Sequence, residues 1–552
     1  MIQHLKNHKY LITTIGFIIL VLPSLNNLPY GDDNFYIFDS YLQYVDSIFA
    51  FWDPTSNFFK SWPLTYSVLT LMFKTFEQNV LPYRLLNLSL HIANSFLIFY
   101  FFKQSQKSIT KQDLFLIFLL FLVHPISFFT HNWIFQVKTL LSMFFSLIFL
   151  NVVERKKPGQ KSFELGAFIS FFLAINSKIA CVLLPFYLLF KRKNYKTRTT
   201  HIAIVLVYLL TSGYYGLINL KGINSFLNEK VKSEQSIVEY PKSKKTDDTE
   251  QAAPKLKSYT DASLKEQLMD SLGTFGKQLS KMDSMIEKTL LSVFTFGKYI
   301  NSTLGLDTFT ILSEANIESL RPSTFFKFAL ISFLFIFIFV SKGHLLSLGL
   351  LFTFFIPVSG LFYVPYMKFS YTAHHWFYMS LPFALAILII NRNRWTKLVL
   401  VSTICTQFLI TSFNLTTTER IIDFSLNRVI NPALYAYKME TLQRQSRIED
   451  TRNLASLLAE AKAEDSPTTT LIKFKMSAKL NDPKYLKPDL KEYLNHTLIS
   501  DEEVKTSIFL DKFTSSLSEE ELALYRAMVL AKLKKDSKIN LNELQDIFLS
   551  EK

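Results

Sequence analysis

The sequence predicts an all-α, polytopic membrane protein of about eleven transmembrane helices, with a large first external loop and a soluble helical domain at its C-terminus. Three observations lead there. The chain is 49% hydrophobic and 15% aromatic over 552 residues with only 14 glycines, a composition of the membrane class. Apolar runs long enough to cross a bilayer, alone or as hinged pairs, recur along the first three quarters. The Lys and Arg residues behind the net charge of +15 fall in short clusters between those runs, as the positive-inside rule and anionic headgroups require. That clustering, with no aromatic-basic patch, excludes nucleic acid and makes membrane lipids the expected partner. Cys181 and Cys405 both lie inside apolar runs, so neither a disulfide framework nor a zinc site is indicated, and packing is their expected role.

The first span covers about Tyr10 to Leu25 behind the basic flank Lys6 and Lys9. With no small-residue cleavage site it reads as a retained signal anchor with a cytoplasmic N-terminus. The external stretch 27–80 follows, whose aromatic residues, Trp52, Trp62 and Phe73 among them, suit interfacial helices. The return span, about Pro82 to Phe102, ends at the cytoplasmic Lys103, Lys107 and Lys111. Spans three (Leu114 to about Pro125) and four (Ile134 to Val153) are separated by the polar break Thr130-His131-Asn132. From Phe163 to Phe190 one helix would place Lys178 at the bilayer centre, at a cost of several kcal/mol. Two short spans hinged at Ser177-Lys178 on the external side remove that cost.

The seventh span, Ile202 to Leu220, leads into a second external stretch, 221–324. Its charge-mixed part, Lys230 to Lys265, reads as mobile chain, and Met285 to about Asn301 as an interfacial helix. Spans eight to eleven are about Phe325 to Val340, Leu345 to Leu361, Phe377 to Ile390 and Leu398 to Phe413, with the Phe333 to Phe339 cluster facing lipid. An odd number of spans puts 416–552 outside as a soluble helical domain, with helix starts at Asp501-Glu502-Glu503 and Ser518-Glu519-Glu520, apart from a transmembrane domain of residues 1–415.

The stretch with the clearest chemical content is Gly31-Asp32-Asp33-Asn34, two adjacent carboxylates just beyond the first span. They repel one another, and a helix cap needs only one of them. A carboxylate whose neighbour raises its pKa suits a general base. Lys178 and Lys138 are cations at the expected external helix ends, and His124 stands at the end of a span. The bland alternatives are a snorkelling lysine and a packing histidine. Asn87 and His91 lie one turn apart on one helix face, which favours interhelical hydrogen bonding over catalysis.

In order and spacing these stretches resemble the membrane glycosyltransferases of the GT-C class, nearest the protein O-mannosyltransferases and the tetratricopeptide-bearing transmembrane O-mannosyltransferases. The resemblance is carried by Asp32-Asp33-Asn34-Phe35-Tyr36-Ile37; by Trp62-Pro63-Leu64-Thr65 through Tyr83 to His91; by His124-Pro125 through Asn132-Trp133-Ile134 and Lys138-Thr139-Leu140-Leu141; and by Ser177-Lys178 before Leu183-Leu184-Pro185. Together they cover roughly the first 190 residues, with a weaker echo at Tyr371 to Pro382. It implies inverting transfer of a sugar, a mannose or another hexose, from a polyprenyl phosphate to a hydroxyl of a protein, lipid or polysaccharide on the external face. Asp33 would then be the base that takes the acceptor's proton and Asp32 the group that orients the acceptor, or the reverse, and Lys178, Lys138, His124 and His375 would hold the donor's phosphate. The chain departs from its relatives at Trp62, where they carry a base; at Val137, where they carry Arg; at Thr139 and Ile179, where they carry acids; and at His374-His375, where they carry Asp-Arg.

No cofactor is expected beyond the lipid-phosphate sugar, although a carboxylate pair could hold a divalent metal. The expected compartment is a bacterial inner membrane with the site and the C-terminus periplasmic. Two other readings stand beside this one. A lipid-linked glycan flippase would show broken or charged helices at mid-membrane. A catalytically silent scaffold would use its C-terminal helices to hold a protein partner.

Overall fold

The computed structural model describes residues 8–29, 33, 37, 42, 45, 47–53, 60, 62–106, 109–155, 161–191, 197–236, 285–307, 309–310, 322–340, 344–361, 372–390, 392–414, 416–426, 438 and 441. Among them every regular element is helical. The chain divides into two compact units: Met1–Ile223 with Thr274–Leu434, and Asn224–Gly273 with Tyr435–Lys552. The first therefore runs past the expected boundary at 415. Of the second, only residues 224–236, 438 and 441 are described, so the expected C-terminal helices lie outside the described residues.

Helix α1 (Lys9–Val21) continues into a single 3-10 turn, Leu22–Ser24. In the stretch 27–80, expected to be external, a 3-10 turn (Ile48–Phe51) precedes α2 (Pro63–Phe76), and Trp52 is tied to α2 by a 2.9 Å hydrogen bond to Ser67. α3 (Val80–Ser105) starts where the Asn79 side chain accepts from Leu81 N–H, and α4 (Lys111–Val123) where Thr110 accepts from Asp113 N–H. Buried Arg84 on α3 donates to the carbonyls of Ser24 and Leu28, so a guanidinium satisfies the end of α1.

α5 (Pro125–Asn132) follows α4 after a 47° bend. The expected polar break at Thr130-His131-Asn132 is therefore helical. The actual breaks are at His124, where the following proline disfavours helical backbone, and at Trp133. A 3-10 turn, Ile134–Gln136, leads into α6 (Val137–Arg155). α7 (Lys161–Ser177) ends at the expected hinge: Lys178 is extended, with φ −164° and ψ 139°. Beyond it the chain forms a 3-10 turn, Ile179–Cys181, and one short helix, α8 (Phe186–Leu189), where a continuous span was expected; Pro185 stops any longer helix from forming.

α9 (Arg198–Ser236) runs sixteen residues beyond the expected end of the seventh span at Leu220. Polar residues such as Asn228, Glu229 and Lys230 end its membrane-compatible part without ending the helix, because no proline occurs before Pro241. Residues 237–284 lie outside the described residues. α10 (Met285–Thr303) fits the amphipathic pattern, but its buried face, Leu291, Phe294, Tyr299 and Ile300, meets protein, against α11 (Pro322–Val340) and α12 (Leu345–Phe355). A 3-10 turn, Ile356–Val358, ends α12, and another, His374–Trp376, precedes α13 (Leu381–Ile389). α14 (Arg394–Asn414) and α15 (Thr418–Leu426) complete the unit, Thr418 bonding the Leu28 carbonyl at 2.7 Å.

Among the described residues four helices are long and apolar enough to cross a membrane, Val80–Ser105, Ile134–Arg155, Arg198–Leu217 and Arg394–Asn414, and the bent α4/α5 pair makes a fifth. Shorter apolar helices stand at the expected spans one, five, six, eight and nine, and the tenth holds only the nine-residue α13. Phe333 and Phe337 are 65% and 66% exposed, as side chains facing lipid would be. The basic ends carry ion pairs: Lys397 with Asp113, and Lys191 with Glu154, which Tyr187 also bonds.

Candidate functional site

Three irregular segments converge beside the α6 N-terminus: residues 133–136, the break at Lys178, and the turn His374–Trp376. Each is pinned by side chains from other helices. Asp33 is fully buried and accepts the N–H groups of Phe135 at 2.7 Å and Ile134 at 3.4 Å. Asn87 donates to the carbonyls of Trp133 and Ile134 at 3.0 and 3.2 Å. The two side chains thus hold the donor and acceptor sides of one turn, which the α-helical ladder cannot satisfy. His91, one turn further on α3, bonds the Leu122 carbonyl and the Tyr378 hydroxyl, so the interhelical role expected for this pair is observed.

The second break is held likewise. Thr65 donates to the Ser177 carbonyl at 2.8 Å, and Ser142 to the Lys178 carbonyl at 3.3 Å. With its backbone fixed, Lys178 sends its ammonium group to Thr139 Oγ1 at 2.8 Å, and Thr139 donates onward to Gln136 Oε1 at 2.7 Å. Lys178 is only 8% exposed, and no carboxylate pairs with it among the described residues. Lys138, also buried, lies 3.7 Å from the Phe135 ring centroid and 5.2 Å from that of Trp62, so aromatic faces carry part of its charge.

The third segment hangs from α10. The Tyr299 hydroxyl donates to the Ala373 carbonyl and accepts the Ala373 N–H, both at 3.0 Å, while its ring stacks on Phe377 at 4.8 Å. This fixes the turn so that the His375 ring meets Trp133 edge-on at 4.9 Å. Burial, then the neighbouring charges of Lys178, Lys138 and His374, hold the His375 imidazole well below its ordinary range, so it is neutral at pH 7. The arrangement is a buried, cation-rich recess whose charges suit an anionic group.

The sequence-predicted residues separate on this geometry. Lys178, Lys138 and His375 come together. His124 takes another part: its Nδ1 accepts Ile126 N–H as the cap of α5, and its Nε2 contacts the Thr303 carbonyl, so both nitrogens serve the fold. Asp33 fulfils the capping role that sequence reasoning ranked second, for a turn 101 residues away. Asp32 lies outside the described residues. Gln136 and Tyr299 were not singled out; the signal for Gln136 was an amide among apolar residues at a helix start, while Tyr299 gave none.

The described helices and this recess define the class as an all-helical protein with several candidate membrane spans. Beyond the class, comparison adds no relative: no family model, no curated protein and no solved structure matches the chain.

Proposed function

We propose that the chain is an integral-membrane glycosyltransferase, which moves a hexose from a polyprenyl phosphate to an acceptor hydroxyl with inversion, on the external face of an eleven-span bundle. The observation that carries this reading is the ammonium of Lys178, buried at a helix break beside Lys138 and His375 and bonded to a hydroxyl. A buried cation without a carboxylate is costly unless its ligand supplies the negative charge, and the leaving phosphate of such a donor does so. Both oxygens of Asp33 are engaged by backbone N–H groups. The base that takes the acceptor's proton is then Asp32, and Asp33 positions the turn. No metal is needed for these steps. A bacterial inner membrane with the recess facing the periplasm fits this direction of transfer.

Incubating the purified full-length chain in nanodiscs with polyprenyl-phosphate hexoses tests the reading. Donor consumption is expected, with Lys178→Ala and Lys138→Ala each losing about 2–4 kcal/mol of transition-state stabilisation in kcat/KM. No turnover with any donor, under conditions where a GT-C enzyme works, overturns it. One observation favours the flippase reading: the bent α4/α5 pair buries His131 and Asn132 at its second half. Movement of a labelled lipid-linked glycan across vesicles, unaffected by Asp32→Asn, is the result that would favour it.

A further inference from the structure

We propose that Gln136 is a second phosphate-holding residue, its side-chain N–H groups acting with Lys178 on the phosphate of a prenyl-phosphate donor. The proposal rests on the reading of the Lys178 recess as the donor's phosphate site. With Lys178 protonated, as a phosphate ligand requires, the chain of bonds that fixes Gln136 has one direction. Lysine ammonium can only donate, so Thr139 Oγ1 accepts from Lys178, and its own proton goes to Gln136 Oε1. Turning the amide over would leave the threonine proton without an acceptor, so the orientation is set. Gln136 is fully buried, and its Nε2 has no hydrogen-bond partner among the described residues.

Two amide hydrogens are thereby held in a buried recess, two hydrogen bonds from the Lys178 ammonium. Leaving them unbonded is costly, and a phosphate oxygen satisfies them together with the charge. The neighbourhood supplies a further donor: the Trp62 indole N–H is also buried without a described partner, and Lys138 lies over that ring at 5.2 Å, while the nearby Asp33 carboxylate is engaged by the Ile134 and Phe135 N–H groups. Thr139 has a definite place in this account. As a neutral hydroxyl it holds lysine and amide in register while leaving the cation's charge for the ligand, which a carboxylate at that position would neutralise.

The test measures binding of a fifteen-carbon prenyl phosphate and the corresponding prenyl alcohol to the full-length chain in detergent, with inorganic phosphate and phosphatidylglycerol as competitors. Wild type is expected to prefer the phosphate over the alcohol and to keep it against both competitors. Gln136→Glu keeps an acceptor for Thr139 but replaces the N–H donors, and should raise Kd for the prenyl phosphate about ten- to a hundredfold while leaving the alcohol unchanged. Gln136→Met, without charge, should show the same direction, and carries the test if Gln136→Glu does not fold. If both variants bind like wild type while Lys178→Ala loses binding, the role of Gln136 is overturned and the phosphate site stands. If wild type does not distinguish phosphate from alcohol, the phosphate site itself fails, and the role of Gln136 with it. Displacement at equal concentration by inorganic phosphate or phosphatidylglycerol overturns the prenyl-phosphate assignment.

Discussion

The carboxylate of Asp33 accepts the backbone N–H of Phe135 at 2.7 Å across 102 residues, and so fixes the turn from which α6 starts. A motif beyond the first helix is thus tied to the helix carrying Lys138 and Thr139. This contact gives Asp33 a structural role.

Asp33→Ala should leave two buried N–H groups unbonded and destabilise the fold by about 1–3 kcal/mol, read as a lowered melting temperature. Asp33→Asn keeps one acceptor and should lose less. Asp32→Asn should leave melting unchanged and reduce transfer about a hundred- to ten-thousandfold, as loss of a general base does. Equal melting of Asp33→Ala and wild type would show that the contact contributes nothing.

Tyr299→Phe removes the hydroxyl that meets both backbone groups of Ala373 but keeps the stack on Phe377. A stability loss of about 1–3 kcal/mol is expected from the unbonded groups. Because the turn carries His375, donor KM should rise with kcat less affected. Steady-state kinetics beside a melting curve separate the two effects.

Gly297→Ala tests the packing of α10 on α11. A Cβ built there would meet the Phe328 carbonyl oxygen at 1.9 Å, a backbone atom that cannot turn aside. The helices must part, breaking the Ser332 bond to the Val293 carbonyl at 2.6 Å. Overpacking of this kind costs about 1–3 kcal/mol, and the rigid neighbour places it at the upper end. A melting temperature equal to wild type would contradict the close approach.

Stability should depend on pH through His375. Its folded-state imidazole resists protonation below the ordinary value of 6.5 because of burial and the charges of Lys178, Lys138 and His374. As pH falls through 6.5 the unfolded chain binds a proton that the folded chain does not, so stability is full above that value and declines below it. His375→Gln should make the fall in melting temperature below pH 6.5 shallower, by up to about 1.4 kcal/mol per pH unit in free energy. Parallel pH curves for variant and wild type would remove His375 from the set of buried neutral groups.

How much of this was legible beforehand follows from the kind of physics each feature obeys. Composition and apolar runs fixed the helical class, and the cost of a lysine at mid-membrane was enough to place the break at Ser177-Lys178, because those terms are local. Helix ends were less legible: α9 passes Leu220 because polarity governs lipid contact while helical backbone stops only where a breaker intervenes, and Pro125 turned the expected polar break into a helix. The sequence by itself determined which chemical groups are present: the paired aspartates, the lysines, the histidines. Only the tertiary structure decided that Asp33 and His124 serve backbone groups, that Thr139 joins Lys178 to Gln136, and that Tyr299 holds the turn bearing His375. Apart from the local bonds of His124 to Ile126 and Thr139 to Gln136, those partners are 39 to 179 residues apart, and a hydrogen bond's direction and availability depend on what stands opposite it in space, which no spacing along the chain records.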